Sequence, residues 1–321
     1  MNFLRQISIG VTELPNNILY APLAGCSDFP FRQMSCAYRP GIVYCEMVKM
    51  DALVRNSPST YRMLDYASNM HPIGAQLCGS KPEMAVTAAR ILEDLGFDCI
   101  DFNCGCPVDK ITKDGSGSGM LKAPELIGEI LAKLSAAVKI PVTVKIRTGW
   151  DEKSINAPFI TQIAEQAGAK AIAIHGRTRE QAYKGAADWN IIRACKEVAK
   201  NILVIGNGDI FDADAALRIF HTTQCDAILI SRGQLGQPWI VEDIIRHLKG
   251  DSPLERGADF IRSQLLKHFE LILSYQTERQ ALLDFRRVGC WYLKHCVGAK
   301  GLRLQLNQAS TTKEVFELLG V

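Results

Sequence analysis

Short apolar runs rich in β-branched residues alternate along this chain with longer segments of helical period. The runs Ile18–Leu23, Ile42–Cys45, Ile73–Leu77, Cys99–Asn103, Val142–Ile146, Ala171–His175, Leu203–Asn207 and Ala227–Ser231 read as eight strands. Between them the apolar positions recur at three and four residues. Met84, Ala88, Ile91, Leu92 and Leu95, for example, make one helix face that Gly96 closes. Strand and helix in strict alternation predict a parallel sheet, and eight such units over residues 1–250 predict an α/β fold of the (β/α)8 TIM-barrel type; a doubly wound sheet is the alternative. Strand-end chemistry favours the barrel. The last inward-compatible positions of successive strands are Gln76, Asn103, Lys145, His175 and Asn207, which a barrel brings together at one end. After Gly250-Asp251-Ser252-Pro253, a plausible hinge, residues 251–321 show amphipathic helices and no strand pattern, predicting a small C-terminal helical domain.

Composition narrows the class. With 321 residues, 47% hydrophobic and 22% charged, the chain has the make-up of a globular protein able to bury a large core. It has neither the run of about 18 apolar residues that a membrane helix needs nor a secretory apolar start, so a cytoplasmic location without membrane association is expected. Eleven cysteines, an odd number, fit reduced thiols better than a disulfide framework. Cys99 and Cys104-Gly105-Cys106 lack a second pair at ligand spacing, so no metal is expected. The net charge of +3 is unevenly placed: residues 256–321 hold 10 Lys+Arg against 6 Asp+Glu, and the remainder 27 against 28. The short tail is the basic part. Oligomeric state is not legible, and a monomer is compatible with everything above.

Cys106 ends the run Asp101-Phe102-Asn103-Cys104-Gly105-Cys106-Pro107, a buried strand breaking into a turn that presents a thiol to a cleft. A small buried cysteine before a turn is the plainer reading. The polar, glycine-rich stretch from Lys110 to Gly119 predicts a mobile loop beside it. Two further turns, Asn207-Gly208-Asp209 and Ser231-Arg232-Gly233, follow strands seven and eight, where barrels often cradle phosphate; the glycines alone could simply turn the chain. Lys145 falls on the inward register. A buried lysine needs an anionic partner or loses its proton, and a reduced flavin supplies such an anion, whereas a lysine snorkelling at the rim needs none. His175 and the two guanidiniums of His175-Gly176-Arg177-Thr178-Arg179 add hydrogen-bonding capacity, although a lone histidine after an apolar run is as often a core group.

Taken in order, Ala21-Pro22-Leu23-Ala24-Gly25, Asn103-Cys104-Gly105-Cys106-Pro107, Lys145-Ile146-Arg147, the stretch from His175 to Tyr183, and Asn207-Gly208-Asp209 resemble the tRNA-dihydrouridine synthases, nearest the bacterial B-type branch. Arg286-Arg287 and Trp291-Tyr292-Leu293 look like that family's helical domain. The resemblance implies an FMN enzyme that reduces the C5–C6 bond of particular tRNA uridines, with NADPH or NADH as electron donor. By position it implies that Pro22, Leu23, Ala24, Gln76, Lys145, His175, Asn207, Gly208, Asp209, Ser231 and Arg232 hold FMN. Cys106 would be the catalytic proton donor, and Asn103, Arg177, Arg286 and Arg287 would contact the substrate. Leu23 departs from the methionine common there, and Ser231 from the common phosphate-loop glycine.

Elementary chemistry agrees with the thiol's role. Hydride arriving at C6 of uracil leaves charge at C5 and O4, which a proton must quench, and thiols ordinarily titrate near pH 8.5 and so are protonated at neutrality. No Rossmann glycine fingerprint follows an early strand, so nicotinamide is expected to bind transiently. A uracil in folded RNA must be extruded to reach a barrel mouth. In the tail, Arg279, Arg286, Arg287, Lys294, Lys300 and Arg303 face only Asp284, with His295 among them, which suits phosphate contacts; Trp291 and Tyr292 read as helix core before base stackers. The rival readings are a dihydroorotate or dihydropyrimidine dehydrogenase acting on free pyrimidines, for which a basic tail is unnecessary, and a noncatalytic tRNA-binding protein on the same scaffold.

Overall fold

The computed structural model describes residues 3–294, 296 and 298–320; His295 lies outside them. Its strands are β1 (Ile7–Ile9), β2 (Thr12–Leu14), β3 (Ile18–Tyr20), β4 (Val43–Tyr44), β5 (Val48–Lys49), β6 (Ile73–Cys78), β7 (Cys99–Cys104), β8 (Val142–Arg147), β9 (Ala171–His175), β10 (Leu203–Asn207) and β11 (Ala227–Ile230). From β3 the parallel order runs β3-β11-β10-β9-β8-β7-β6-β4, with the short β5 pairing to the far end of β6. Tyr20 N–H donates to Ile42 O at 3.0 Å and Gly41 N–H to Ile18 O at 2.8 Å, which joins the first strand to the second and closes the ring. This is the (β/α)8 barrel, and the doubly wound alternative falls with that closure.

Alternation along each strand splits the aliphatic residues into two sets. Ile100, Phe102, Val144, Ile146, Ile172, Ile174, Val204, Ile228 and Ile230 pack outward against the helices. Leu19, Ile42, Tyr44, Cys99, Ala171, Ala173, Ile205, Ala227 and Leu229 fill the interior together with Ile9 and Leu14. Those last two come from the β1–β2 hairpin, which the sequence reading did not anticipate. Its three-residue strands around Gly10, at φ +58°, are too short to show a period. Full burial of Ile9 and Leu14 contributes about 1.5–3 kcal/mol each and stoppers the barrel's lower end.

The stretch from Lys110 to Gly119 is a second departure. Instead of a mobile loop it forms a helical turn at Asp109–Thr112 and leads into a 3₁₀ segment at Gly117–Lys122, with Ser116 and Ser118 buried. Ser118 donates from both its N–H (3.0 Å) and its Oγ (2.9 Å) to Cys106 O. A Cβ on Gly117 would lie 2.9 Å from that same oxygen, so glycine here serves close approach, beyond its φ of +57°.

The tail has four helices, Ala258–Tyr275, Glu278–Leu293, Lys300–Gln308 and Thr312–Leu319, around a core of its own that includes Leu265, Phe269, Phe285, Tyr292, Leu293 and Leu306. Tyr292 and Leu293 are therefore core residues. Half-buried Trp291 meets Phe31 of the barrel helix Phe29–Cys36 edge-on, and Tyr275 stacks on Phe29 with centroids 4.8 Å apart. The expected hinge is strapped. Arg256, 9% exposed in its side chain, pairs with Glu242 and Asp243 at 2.5 Å each. Gly236, at φ +77°, brings the loop after β11 against the backbone of Trp291, where a Cβ would meet carbonyl atoms at 2.3 Å.

Candidate active site

At the upper end of the barrel lies a cavity of about 540 Å³, within the 300–1,000 Å³ that cofactor-sized ligands use. Its lining takes in Pro22, Leu23 and Ala24 after β3, Gln76 on β6, Asn103 and Cys106 at the end of β7, Lys145 on β8 and His175 on β9. Asn207, Gly208 and Asp209 line it from the end of β10, and Ser231 and Arg232 from the end of β11. Residues scattered over 210 positions meet there because each lies on the inward register of a parallel strand or in the turn that follows one.

Their bonding separates groups that face the cavity from groups that build it. Asn103 Oδ1 accepts from Cys106 N–H (2.9 Å) and Gly105 N–H (3.1 Å), folding the chain back so that Cys106 lines the cavity. Cys104, two residues earlier, is fully buried on the outer face of the sheet, where burial pushes its thiol well above the ordinary value. Lys145 is pushed down to about 8 by burial and by Arg147, with Asp101 and Cys106 opposing. His175 falls well below the usual imidazole range through burial and then through Lys145, Arg147, Arg177 and Arg232. It is neutral at pH 7. Arg177 Nη1 lies 3.3 Å from its Nε2, which therefore accepts and leaves the ring proton on Nδ1.

Arg177 lies outside the cavity lining, and the substrate contact expected of it does not match its bonding. Buried at 3% exposure, it holds Asp209 through two bonds of 2.8 and 2.7 Å and also donates to Lys184 O and Gly185 O. Burial raises the Asp209 carboxyl, but bonds from Arg177 and Ala187 N–H, with the nearby Arg232, bring it below the ordinary range. That carboxylate is thus committed inward. What the turn offers to the cavity is its backbone, with Gly208 at φ +117° packed so closely that a Cβ would lie 2.8 Å from Ala187 Cβ and 2.9 Å from His175 Cδ2. Arg232 lies over Tyr183 at 4.5 Å and near Asp209 at 3.6 Å. In the tail, Arg286 donates to Ala309 O at 3.1 Å, while Arg287 lies over Trp291 and 3.7 Å from Asp284. The two are not equivalent: Arg286 ties helices together, and Arg287 lies at the junction with the barrel.

The sequence reading passed over Asp101, Thr143 and Arg147. All three were within reach of it, since they stand two residues from Asn103 or Lys145 on the same inward alternation. Buried Arg147 donates to Gly105 O (2.9 Å), Thr178 O (2.8 Å) and Ala182 O (2.9 Å), and burial brings its guanidinium down to about 10. It ties the Cys106 turn to the loop that carries Tyr183.

Residues 19–320 match the family model for dihydrouridine synthase. The chain belongs to the dihydrouridine synthase family. It is 38% identical over 308 residues to tRNA-dihydrouridine synthase B of Pseudomonas aeruginosa, covering 95% of this chain and 92% of that protein. To a probable tRNA-dihydrouridine synthase of Rickettsia bellii it is 37% identical, covering 89% and 88%. Among solved structures, histamine dehydrogenase from Rhizobium sp. 4-9 superposes with a TM-score of 0.60 at 13% identity over 84% of this chain and 51% of that one. A 2-naphthoyl-CoA reductase gives 0.57 at 11% identity over 78% and 52%. This chain spans about half the length of these two structures, and at such identity they support its barrel fold alone. Among its described residues no helix is long and apolar enough to cross a membrane, and no cluster of His, Cys, Asp and Glu has metal-site geometry.

Proposed function

We propose that the cavity holds FMN, that NADPH or NADH reduces it, and that Cys106 is the acid that completes reduction of a tRNA uridine. The reaction class follows from family membership: reduction of the uracil C5–C6 bond in tRNA by a flavin enzyme. One observation carries the finer reading. A single cavity joins Cys106 to the cationic and amide groups of Lys145, His175, Arg232 and the Gly208 turn, a donor set that suits a phosphate at one end and an electron-rich ring at the other. When bound, FMN supplies hydride to C6 of the pyrimidine. The chain does the rest. The turns at Asn207–Asp209 and Ser231–Gly233 take the phosphate with Arg232, while Lys145 and His175 Nδ1–H face negative charge. Cys106 Sγ gives its proton to C5, and the barrel walls keep bulk water from that charge.

The test is direct. The purified protein should release FMN rather than FAD on denaturation and form dihydrouridine in unmodified tRNA when given NADPH. A colourless protein, or one that reduces free pyrimidines and leaves tRNA untouched, overturns the proposal.

Two further outcomes bear on particular residues. With Lys145 near 8, retention of reduced FMN should weaken as pH is raised from about 7 to 9, because the ammonium that attracts the ring's anion is lost across that window. Lys145→Met should bind more weakly at pH 7 and show no such slope; an unchanged titration removes Lys145 from the site. In the tail, which we take with residues 251–321 as the tRNA-binding domain, Arg287→Ala should weaken tRNA binding and reduce the slope of log K against log salt by about one unit. Arg286→Ala should instead act mainly on the melting temperature of the tail, since its guanidinium bonds Ala309 O. Equal salt slopes for wild type and Arg287→Ala would place the RNA elsewhere.

A further inference from the structure

A chain of hydrogen bonds runs from inside the barrel to the Cys106 turn. Thr143 Oγ1 donates to Asp101 Oδ1 at 2.7 Å, and Gln76 Nε2 donates to Asp101 Oδ2 at 2.6 Å. Asn103 Nδ2 donates to Gln76 Oε1 at 2.8 Å, and Asn103 Oδ1 accepts the N–H groups of Gly105 and Cys106. All four side chains are buried, and their strands β6, β7 and β8 are paired in register, with Gln76 opposite Asp101 and Asp101 opposite Thr143.

Each end of this chain has a fixed chemical sense. Backbone N–H groups can only donate, so Asn103 must turn its oxygen to the Cys106 turn and its nitrogen to Gln76. A carboxylate can only accept, so Gln76 must turn its nitrogen to Asp101. The two demands agree only in the arrangement observed. An amide side chain has nearly symmetric shape, and without a one-way group at the bottom Gln76 could reverse, and Asn103 after it. The turn would then face an NH2 group where it needs an acceptor. We propose that Asp101 is a positioning residue that sets the direction of both amides, and through them holds the Cys106 turn and leaves Gln76 and Asn103 each with one spare N–H donor. The two spare N–H groups suit ring edges that carry acceptors, such as carbonyl oxygens. This rests on the reading of Cys106 as the acid.

The test separates direction from charge and from packing. Asp101→Asn keeps shape but removes both the charge and the one-way sense, because an amide can meet Gln76 with either end and the Thr143 hydroxyl serves either way. Thr143→Val leaves Asp101 an acceptor and so keeps the direction. Asp101→Asn should slow flavin reoxidation by tRNA about tenfold, roughly one buried hydrogen bond, while Thr143→Val should stay within a few-fold of wild type. Amide hydrogen exchange at Gly105 and Cys106, measured on flavin-free protein, should accelerate by a similar factor in Asp101→Asn and stay near wild type in Thr143→Val. Unchanged exchange at these two amides in Asp101→Asn would overturn the proposal, since any slowing would then come from the lost charge. So would a Thr143→Val variant as slow and as fast-exchanging as Asp101→Asn, since packing would then be what matters. If the wild-type flavin is not reoxidised by tRNA at all, the functional reading fails, while the exchange result still judges the relay.

Discussion

Cys106→Ala should bleach with NADPH at close to the wild-type rate and then fail to turn over: reoxidation of its reduced flavin by tRNA should slow by about 10²–10⁴-fold, the range a positioned general acid contributes. The two half-reactions divide this way because only the second needs a proton at C5. The geometry supplies an internal control. Cys104 lies on the outer face of β7 among aliphatic side chains, so Cys104→Ala should cost on the order of 1 kcal/mol of stability through a small cavity and leave both half-reactions near wild type. Stopped-flow traces of the flavin absorbance decide it. Reoxidation of reduced Cys106→Ala at the wild-type rate would mean that another group, or water, delivers the proton.

The second large effect is expected at Arg177. Arg177→Met leaves the Asp209 carboxylate with only the more distant Arg232 and the Ala187 N–H in a site where it is three-quarters shielded. Removing one partner of a buried pair costs about 3–5 kcal/mol; with the remaining contacts and some solvent, the lower end applies here. At about 2–4 °C per kcal/mol for a domain of this size, the melting temperature should drop by roughly 6–12 °C. FMN should be lost as well, because the strained Gly208–Asp209 turn, with Asp209 itself at φ +55°, relaxes once its clamp is gone. Adding Asp209→Asn should recover part of the stability, since the uncompensated charge goes and asparagine tolerates that backbone. Calorimetry and flavin content of the three variants are the measurements. A melting temperature within a degree of wild type for Arg177→Met would show that Asp209 finds other partners.

The barrel and much of its upper end were legible because two periods coincide in this chain. Strand alternation marked Gln76, Asn103, Lys145, His175 and Asn207 as inward, and the parallel barrel then forces them together, so their convergence needed no contact information. The bonding of Arg177 was not legible, for a physical reason. Its charge is visible in a sequence, but whether a guanidinium faces a ligand or a neighbouring carboxylate depends on Asp209, 32 residues away. The Gly115–Gly119 stretch looked mobile because glycine and serine bury little apolar surface; Ser118 instead completes the bonding of Cys106 O, a tertiary role that composition does not reveal. The β1–β2 hairpin was missed because three residues cannot display a period.

The contact between Gly236 and the backbone of Trp291 makes the tail a ruler. Main chain lies against main chain at that point, and Arg256 straps the linker, which leaves the junction little slack. If Arg287 and Cys106 both touch the RNA as proposed, the offset between them is a length the protein sets. A transcript whose uridine fell short of it would have to deform to be modified, and a residue larger than glycine at position 236, whose Cβ would meet Trp291 carbonyl atoms, would change that length.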